Sequence, residues 1–527
     1  MAIPGWLFDL YPLGDRMVVW FLTPEGRALR LVDDFPYTVY LGGPAALVRR
    51  ALGVLRGRGW LARAYSTSGR DLGSGEELPV WALELKTYAH LNPLRGWLGR
   101  EHTALEVYNC DLDAAAYYLY RRGVWPCAWY DLETTDGKLL ALTPREEHFA
   151  RDFTPPPLAT LGLGLTRDPL IPLGAGNGLT ISWEGRTQEL EVRDREELVR
   201  ETARWLARTD PDLILSDWGD EIIIPALSRF RRARRLPLPL DREPAPVSRT
   251  FTGGRTYFSY GRVVYQGQAA PCYGRWHVDR KNSFFFREAD LPGLMQIARL
   301  GQMPLQQAAR TSPGTLITSM QLARAVKDGI LIPWRKADPE RFKSAGELLT
   351  VDKGGLVFMP PIGRFGEVAE LDFASMYPTI MTIHNISPET VNCRCCAAGG
   401  EGAGVFVGEG AEGRGPIPPS PAPLPPSLGG GKGRLFAQTT ENRTPKTGLQ
   451  GVGKGGEGGG RGKHVPPALS PPHLVPEAGC HLCRRREGLV PRTLKPILKL
   501  REELKAAAQS AAPEPAAARS EEHTSEL

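Results

Sequence analysis

The sequence predicts a multidomain α/β protein, because it is long, alternates strand and helix patterns, and contains one segment of different composition. The chain has 527 residues, more than one hydrophobic core organises, so two to four domains are expected. Hydrophobic residues make up 42% of the chain, which is enough to fold most of it. A Gly/Pro-rich segment at residues 397–477 lacks the apolar residues needed to offset the entropy of an ordered chain.

Residues 1–128 are predicted to form a mixed α/β domain. Short apolar segments such as Arg16–Leu22 and Val80–Lys86 have strand patterns, and turn residues separate them. Asp113–Gly123 has the pattern of a helix. No residue of this domain indicates a particular chemistry.

Residues 129–345 are predicted to form a second, layered α/β domain. Its predicted strands are Trp129–Thr135, Ala159–Thr166, Gly178–Gly185 and Asp212–Asp217. Glu196–Thr209 has the apolar spacing of an amphipathic helix. Strands with intervening helices favour a layered sheet.

The remaining residues divide into four shorter parts. Residues 346–396 form a third region with its own motif, residues 397–477 are predicted to be a disordered insertion, and residues 478–510 contain a basic helix. Residues 511–527 are of low complexity. Their end, Arg519–Leu527, resembles the translation of a sequencing adapter, so the natural chain is expected to continue differently.

Charge and cysteine content indicate a cytoplasmic protein with a polyanionic partner. The formal net charge is +6, and arginine far outnumbers lysine; guanidinium groups bind phosphate oxygens in pairs, although a compositional bias of the source genome explains the same excess. Asp9, Asp15 and Arg16 interrupt the apolar N-terminus, so no signal peptide is predicted. No apolar run is long enough to span a bilayer, and the scattered cysteines do not form a secreted disulfide framework.

The segment Glu367–Cys393 carries the strongest chemical signal. Its first residues have the pattern of a strand that ends near Asp372, and a turn and a helix follow. A carboxylate at a strand end is well placed to bind Mg²⁺ over a triphosphate, because Mg²⁺ prefers oxygen ligands. Taken alone, such an aspartate is more often a turn former or helix cap.

The sequence D-F-A-S-M-Y-P-T-I at 372–380 resembles the first palm motif of B-family DNA polymerases, D-x-x-S-L-Y-P-S-I. The N-I-S-P-E-T stretch that follows is similar to the family pattern as well. Residues 352–361 resemble the Gly-Gly segment that joins the exonuclease domain to the palm, and residues 484–505 resemble the segment that leads to the fingers. The resemblance covers residues 1–396 and 478–505.

The resemblance assigns roles to four residues of the palm motif. Asp372 would bind both catalytic metal ions, which are Mg²⁺ or alternatively Mn²⁺. Ser375 and Met376 would lie along the triphosphate, and Tyr377 would stack under the sugar and exclude a 2′-hydroxyl group. The implied partners are primer–template DNA, deoxynucleoside triphosphates and replication accessory factors, with no membrane.

A second pair of carboxylates lies in the segment Y-D-L-E-T-T. Asp131 and Glu133 are two residues apart on a predicted strand, so they share one face. Such a pair binds two metal ions in phosphodiester hydrolysis, although a solvated strand edge is the commoner explanation. The pair resembles the first motif of the family's 3′–5′ exonuclease, which implies an RNase H-like fold for residues 129–345.

The other exonuclease motifs depart from the family pattern. Ile223 stands where the second metal-binding aspartate is expected, and Asp220 precedes it by about one helical turn. Phe286–Asp290 keeps the aspartate of the third motif, Asp290, without its tyrosine. Asp220 and Asp290 are therefore the candidate replacements, and proofreading activity is not expected.

The clustered cysteines suggest a possible metal site. Cys393, Cys395 and Cys396 form C-R-C-C, and Cys480 and Cys483 form C-H-L-C. Thiolates at that spacing complete tetrahedral zinc sites. Because a long insertion separates the two groups, ordinary reduced cysteines are the favoured interpretation.

The sequence therefore predicts a DNA-directed DNA polymerase that acts by two-metal phosphoryl transfer. A stand-alone 3′–5′ exonuclease and a catalytically silent DNA-binding paralogue are the alternatives. By resemblance, polymerisation also needs a D-T-D hairpin and a K-x-x-x-N-S-x-Y-G helix, and neither motif occurs after Tyr377. Residues 1–527 alone are expected to be inactive.

Overall fold

A computed structural model of the chain describes the parts that bear on function. The described residues are 3–101, 104–190, 194–245, 247, 254–259, 262–334, 342–351, 354–355, 358–359, 361–369, 371–397, 473–475 and 478–511. The described residues before Ala397 and after Pro472 belong to one compact unit. Apart from Ala397 and His473–Val475, the predicted disordered insertion at residues 397–477 lies outside the described residues.

The described residues of the N-terminal part form nine strands and three α-helices. The strands are β1 (Ile3–Leu13), β2 (Arg16–Leu22), β3 (Ala28–Asp33), β4 (Thr38–Gly42), β5 (Leu61–Arg70), β6 (Glu77–Leu85), β7 (Glu106–Tyr108), β8 (Trp129–Thr135) and β9 (Lys138–Pro144). The helices are α1 (Ala45–Gly57), α2 (Leu91–Glu101) and α3 (Ala114–Arg122).

Five of these strands close a small barrel in the order β1-β2-β3-β9-β8. Leu7, Val19 and Leu132 fill one buried cluster, while Phe8 belongs to a second cluster outside it. Because side chains alternate across a strand, β1 contributes to both clusters, which explains its nearly continuous apolar sequence. The other four strands form a separate sheet in the order β5-β6-β4-β7, and α1 and α2 pack in its apolar core.

The barrel changes the domain organisation that the sequence suggested. Strand β8, placed by the sequence pattern at the start of the second domain, pairs with β1 from Trp6↔Trp129 to Ile3↔Leu132. The boundary predicted at residue 129 therefore does not coincide with the boundary between the two sheets.

The middle of the chain contains a five-stranded sheet and the helices that cover it. Its elements are β10 (Thr160–Leu165), β11 (Leu179–Trp183), β12 (Arg186–Leu190), α4 (Arg195–Thr209), β13 (Leu213–Ser216), α5 (Ile224–Arg234), β14 (Arg255–Ser259), β15 (Arg262–Gln266), β16 (Trp276–Asp279), α6 (Phe286–Gly301), α7 (Leu305–Ala308) and α8 (Pro313–Lys327). The sheet order is β12-β11-β10-β13-β16, and β14 and β15 form a separate hairpin. Strand β13 runs parallel to both of its neighbours, whereas β11 is antiparallel to β10 and to β12.

The last described elements surround the palm motif. They are α9 (Ala345–Val351), α10 (Met376–Ile383), α11 (Arg394–Ala397), β17 (His473–Val475), β18 (Cys480–Leu482) and α12 (Leu489–Ala511). Helix α10 packs against α12, and α12 also contacts α8. None of the described helices has the length and apolar content needed to cross a membrane.

The described residues before Asp372 do not form the expected strand. Residues 366–369 and 371–373 have no strand assignment, and none of the described strands pairs with them. A strand needs a hydrogen-bonded neighbour, so an apolar pattern alone does not form one. The prediction of a strand at this position was wrong for this structure.

A buried carboxylate links the barrel to the five-stranded sheet. Asp9 lies on β1 beside a β-bulge, is 3% exposed, and accepts a hydrogen bond from the backbone N–H of Gly274 at 2.8 Å. Burial raises the pKa of Asp9 from 3.8 to about 7, although the Gly274 hydrogen bond opposes the shift. Between about pH 4 and pH 7, Asp9 is therefore protonated in the folded protein and ionised in the unfolded chain.

Replacing Asp9 by asparagine should make the protein more stable than the wild type at pH 8. The unfolded-state pKa lies near 4 and the folded-state pKa near 7, so wild-type stability falls as the pH rises between those values. This difference in pKa corresponds to at most about 4 kcal/mol in the free energy of unfolding. Urea unfolding of both proteins from pH 4 to pH 8 measures it, and a pH-independent difference would contradict the assignment.

Candidate active site

The palm motif is presented at the surface, at the start of helix α10. Asp372 precedes the helix in an extended segment, and its Oδ1 accepts a hydrogen bond from the N–H of Phe373 at 2.8 Å. Ser375 has φ 48°, in the left-handed region, and α10 begins at the next residue. The side chain of Tyr377 is on the exposed side, with 69% accessibility. The carboxylate and the tyrosine ring are therefore both accessible to a ligand.

The N-I-S-P-E-T stretch fixes α10 to the chain beyond the insertion. The side-chain amide of Asn385 donates to the carbonyl oxygens of Cys483 at 2.7 Å and Arg486 at 2.9 Å. Its Oδ1 accepts from the N–H of Gly488 at 2.8 Å. All three polar positions of this amide are used, so Asn385 joins the end of α10 to the residues just before α12.

Two further residues of this stretch complete the joint. Ser387 is 2% exposed, and its hydroxyl donates to Glu389 Oε2 at 2.6 Å. The other carboxylate oxygen of Glu389 accepts from the N–H of Leu489, the first residue of α12. A carboxylate at a helix N-terminus satisfies one of its free N–H groups and is favoured by the helix dipole. We call the residues Asn385, Ser387, Glu389 and Thr390 the helix clamp.

The carboxylates of the predicted nuclease motif lie in the barrel. Asp131 is on β8, and both of its oxygens accept hydrogen bonds from Arg145, at 2.8 and 2.6 Å. Glu133 lies two residues further on the same strand and is exposed. Neither residue belongs to the five-stranded sheet.

Asp220 is buried in an ion pair. It lies in a π-helical turn, Gly219–Ile223, and is 0% exposed. Both of its oxygens accept from the guanidinium group of Arg310 at 2.8 Å, and they also accept from the N–H of Ala270 at 2.7 Å and from Asn282 Nδ2 at 2.8 Å. Burial opposes ionisation, but Arg310 outweighs it and the pKa of Asp220 is lowered.

The other two positions of the predicted nuclease also lack a metal-binding arrangement. Ile223 is 0% exposed in the core under the sheet. Asp290 is exposed at a kink inside α6, with φ 52°, and its Oδ1 accepts from the adjacent N–H of Leu291 at 2.8 Å. Among the described residues, the only group of three or more potential ligands is a cysteine cluster. The structure therefore does not bring Asp131, Glu133, Asp220 and Asp290 together.

A cavity of about 490 Å³ lies over the carboxyl ends of β10, β13 and β16. This end of parallel strands is the usual ligand position in α/β sheets. Its lining contains two carboxylates: Asp217, which pairs with Arg280 at 2.6 Å, and Glu184, which is exposed. Asp279, at the end of β16, is buried and accepts from the N–H groups of Trp218, Asp220 and Lys281.

Glycines form the floor of this cavity on β10. A side chain added at Gly162 would place its Cβ 2.0 Å from Ser182 Oγ, and one added at Gly164 would lie 2.6 Å from Thr180 Oγ1. Both distances are shorter than any ordinary contact, so a side chain on β10 would require the hydroxyl groups of Ser182 and Thr180 to move. The sequence predicted this strand but assigned it no chemical role, because its G-L-G pattern carries no functional group.

The cysteines converge more closely than the sequence suggested. The sulfur atoms of Cys393, Cys395, Cys396 and Cys483 all lie within 4.8 Å of one another. Cys480 is outside this group, on the β17–β18 hairpin, where it pairs with Val475. The sequence favoured ordinary reduced cysteines over one site across the insertion, and the structure brings four of the five clustered cysteines together.

The palm motif is similar to that of known DNA polymerases. Residues 303–399, which include Asp372 and Tyr377, match the family described as DNA polymerase family B. DNA polymerase 1 of Pyrococcus abyssi is 24% identical over 375 residues, a match that covers 61% of this chain and 46% of the relative. DNA polymerase 2 of Saccharolobus solfataricus is 34% identical over 99 residues, which is 19% of this chain and 16% of the relative.

The overall fold is similar to a solved polymerase. The family B DNA polymerase from Pyrobaculum calidifontis superposes with a TM-score of 0.60 at 20% identity, over 98% of this chain and 65% of that one. The chain is thus similar in fold and in palm motif to family B DNA polymerases. It spans about half the length of the DNA polymerases of Pyrococcus abyssi and Pyrococcus glycovorans, 46% in each case.

Replacing Asp220 by alanine should destabilise the fold rather than remove a metal ion. Arg310 would be left buried without its partner, at a cost of about 3–5 kcal/mol in the free energy of unfolding. Asp217→Ala is the matched control, since its pair with Arg280 is partly exposed and contributes about 1 kcal/mol or less.

Thermal unfolding in EDTA and in Mn²⁺ separates the two roles of Asp220. The structural role predicts the same difference between Asp220→Ala and wild type in both solutions. A wild-type melting temperature that rises with Mn²⁺, and a variant that does not respond, would show that Asp220 binds metal.

Proposed function

We propose that the protein functions as a DNA-directed DNA polymerase, with Asp372 as a ligand of the catalytic metal ions. The observation that carries the proposal is the D-F-A-S-M-Y-P motif, exposed at the start of α10 and contained in the family match. The names of the relatives, which are DNA polymerases, support the same reaction. Primer–template DNA and deoxynucleoside triphosphates are the proposed substrates, and replication accessory factors are possible partners of the complete enzyme.

The Asp372 carboxylate suits a hard divalent cation. Among the described residues, one of its oxygens accepts a backbone N–H, that of Phe373, and the carboxylate is exposed. Mg²⁺ binds through one or two carboxylates together with waters and substrate phosphates, so an exposed aspartate beside a triphosphate site fits Mg²⁺, and Mn²⁺ as a substitute. The metal, when bound, would stabilise the negative charge that develops on the transferring phosphoryl group.

The residues after Asp372 are proposed to hold the nucleotide. Ser375 and Met376 form the turn into α10, where free N–H groups favour phosphate oxygens. The ring of Tyr377 is free to pack against a sugar, since it is mostly exposed. The helix clamp would keep this turn in a fixed position while the metal and the triphosphate bind.

We propose that the five-stranded sheet is an RNase H-like, exonuclease-type domain without nuclease activity. Its order, with three parallel strands beside two antiparallel ones, supports that fold. Two-metal hydrolysis requires carboxylates that are free to bind cations. The cavity instead contains glycines on β10 and an aspartate paired with Arg280.

Digestion of single-stranded DNA should be negligible with either Mg²⁺ or Mn²⁺. Asp131→Ala should leave that background unchanged, because Asp131 lies in the barrel and already binds Arg145. Release of nucleotides from a 3′-labelled oligonucleotide measures the activity. Vigorous digestion that disappears in Asp131→Ala would overturn the proposal.

Primer extension requires a second palm carboxylate, and residues 1–527 do not contain the D-T-D form of it. We therefore expect no nucleotide addition by this chain on its own. A longer chain that supplies the D-T-D hairpin and the fingers helix should extend a primer, and Asp372→Ala should reduce extension to background. Extension by residues 1–527, or a longer enzyme indifferent to Asp372→Ala, would contradict the assignment.

In that longer enzyme, Tyr377→Ala should increase the use of ribonucleotides by at least about tenfold, because the ring no longer blocks the 2′-hydroxyl group. Tyr377→Phe is the matched control, since it keeps the ring and should keep the discrimination. Incorporation of ribonucleoside and deoxyribonucleoside triphosphates is compared under single-turnover conditions. Equal discrimination by all three proteins would exclude the proposed role of Tyr377.

A further inference from the structure

The four convergent cysteines have the spacing of ligands around one metal ion. Cys395 Sγ lies 3.5 Å from Cys393 Sγ and 3.5 Å from Cys483 Sγ, and Cys396 Sγ lies 3.8 Å from Cys483 Sγ. Zinc–sulfur bonds of about 2.3 Å in a tetrahedron place the sulfur atoms about 3.8 Å apart. The observed distances are close to that value and well beyond the roughly 2 Å of a disulfide bond.

The backbone brings these thiols together from both sides of the insertion. The segment before Cys393 is joined to β18 by a bridge between Val391 and Leu482, and by the hydrogen bond from Asn392 N–H to the carbonyl oxygen of His481 at 2.9 Å. The short helix α11 then carries two of the thiols, Cys395 and Cys396.

Cys483 is held by the same structure. Its N–H donates to the carbonyl oxygen of Thr390 at 2.8 Å, so it is anchored to the helix clamp. Backbone N–H groups of Arg485 and Arg486 donate to its sulfur. N–H donors around a thiolate stabilise its negative charge, and three consecutive arginines, Arg484–Arg486, add positive charge beside a site that four thiolates would make negative.

Simple burial of thiols does not account for this arrangement. Cys110, Cys127 and Cys272 are buried singly in apolar cores, which is the ordinary behaviour of reduced cysteine. The clustered thiols include Cys395 and Cys396, which are only partly buried. Four sulfur atoms at ligand spacing, from two segments far apart in sequence, need a further cause.

We propose that Cys393, Cys395, Cys396 and Cys483 bind one Zn²⁺ ion, which fastens the two segments on either side of the insertion. Cysteine-rich tetrahedral sites select zinc over hard cations such as Mg²⁺. The ion would lie next to the helix clamp, because Cys483 is bonded to Thr390, and it would stabilise the joint between α10 and α12. His481 Nε2 lies 3.6 Å from Cys393 Sγ, but it does not belong to the group of ligand atoms that all lie within 4.8 Å of one another, so it is outside the ligand set.

The zinc content of the purified full chain tests the proposal. Protein prepared without metal-chelating steps should contain about one zinc per chain by mass spectrometry. Cys395→Ser and Cys483→Ser should lose the ion. Cys480→Ser is the matched control, since Cys480 lies on the same hairpin outside the cluster, and it should keep the ion.

Two measurements on the wild-type chain do not depend on how the variants fold. Titration with a mercurial reagent should release zinc in step with modification of four thiols. Replacement of zinc by Co²⁺ should give the visible absorption bands of a tetrahedral cobalt–thiolate site. Both measurements are independent of polymerase activity, so they remain informative if the proposed function fails.

Several results would overturn the proposal. They are a metal-free protein in which all eight cysteines react as free thiols, a disulfide within the cluster, iron in place of zinc, or a Cys480→Ser variant that loses zinc as fully as Cys483→Ser.

Discussion

The start of the palm depends on the helix clamp. Helix α10 has only eight residues and its preceding segment pairs with none of the described strands, so short-range interactions cannot fix it. The amide of Asn385 and the carboxylate of Glu389 attach its C-terminal end to the beginning of the 23-residue helix α12. Helix α12 is held in turn by the ion pair of Arg492 with Asp328. The position of Asp372 therefore follows from contacts made about 15 residues further along the chain and beyond the insertion.

Carboxylates near the end of a sheet can bind metal ions or can form buried bonds that stabilise the fold, and Asp220 and Asp279 of the five-stranded sheet do the second. At its ligand-binding end, a nuclease needs carboxylates that cations can reach. Here Asp220 and Asp279 are buried and saturated by Arg310, Asn282 and backbone N–H groups. These bonds stabilise the turn between β13 and α5 and hold both carboxylates in the buried interior. The glycines of β10 contribute no carboxylate to the cavity.

The clamp and the cysteine cluster act on the same joint. Thr390 connects them directly, because its carbonyl oxygen accepts from Cys483 while its hydroxyl lies 2.6 Å from the carbonyl oxygen of Asn385. A long insertion at this place would otherwise add chain entropy between the two halves of the joint. Hydrogen bonds within the clamp offset part of that cost, and the zinc ion proposed beside it would offset more.

The sequence by itself determined the local features. These are the helices with clear apolar periodicity, such as α4, and the palm motif, in which Asp372, Ser375, Met376 and Tyr377 follow one another in a fixed order. It also showed from Ile223 that the nuclease pattern is broken. Tertiary structure decided the rest, since those features depend on partners distant in the chain. The Y-D-L-E-T-T strand belongs to the barrel because it pairs with β1. The described residues before Asp372 pair with none of the described strands. Asp220 forms its buried ion pair with Arg310, which is 90 residues away in the sequence. The thiols met across the insertion because the backbone bonds of Val391 and Asn392 brought them together.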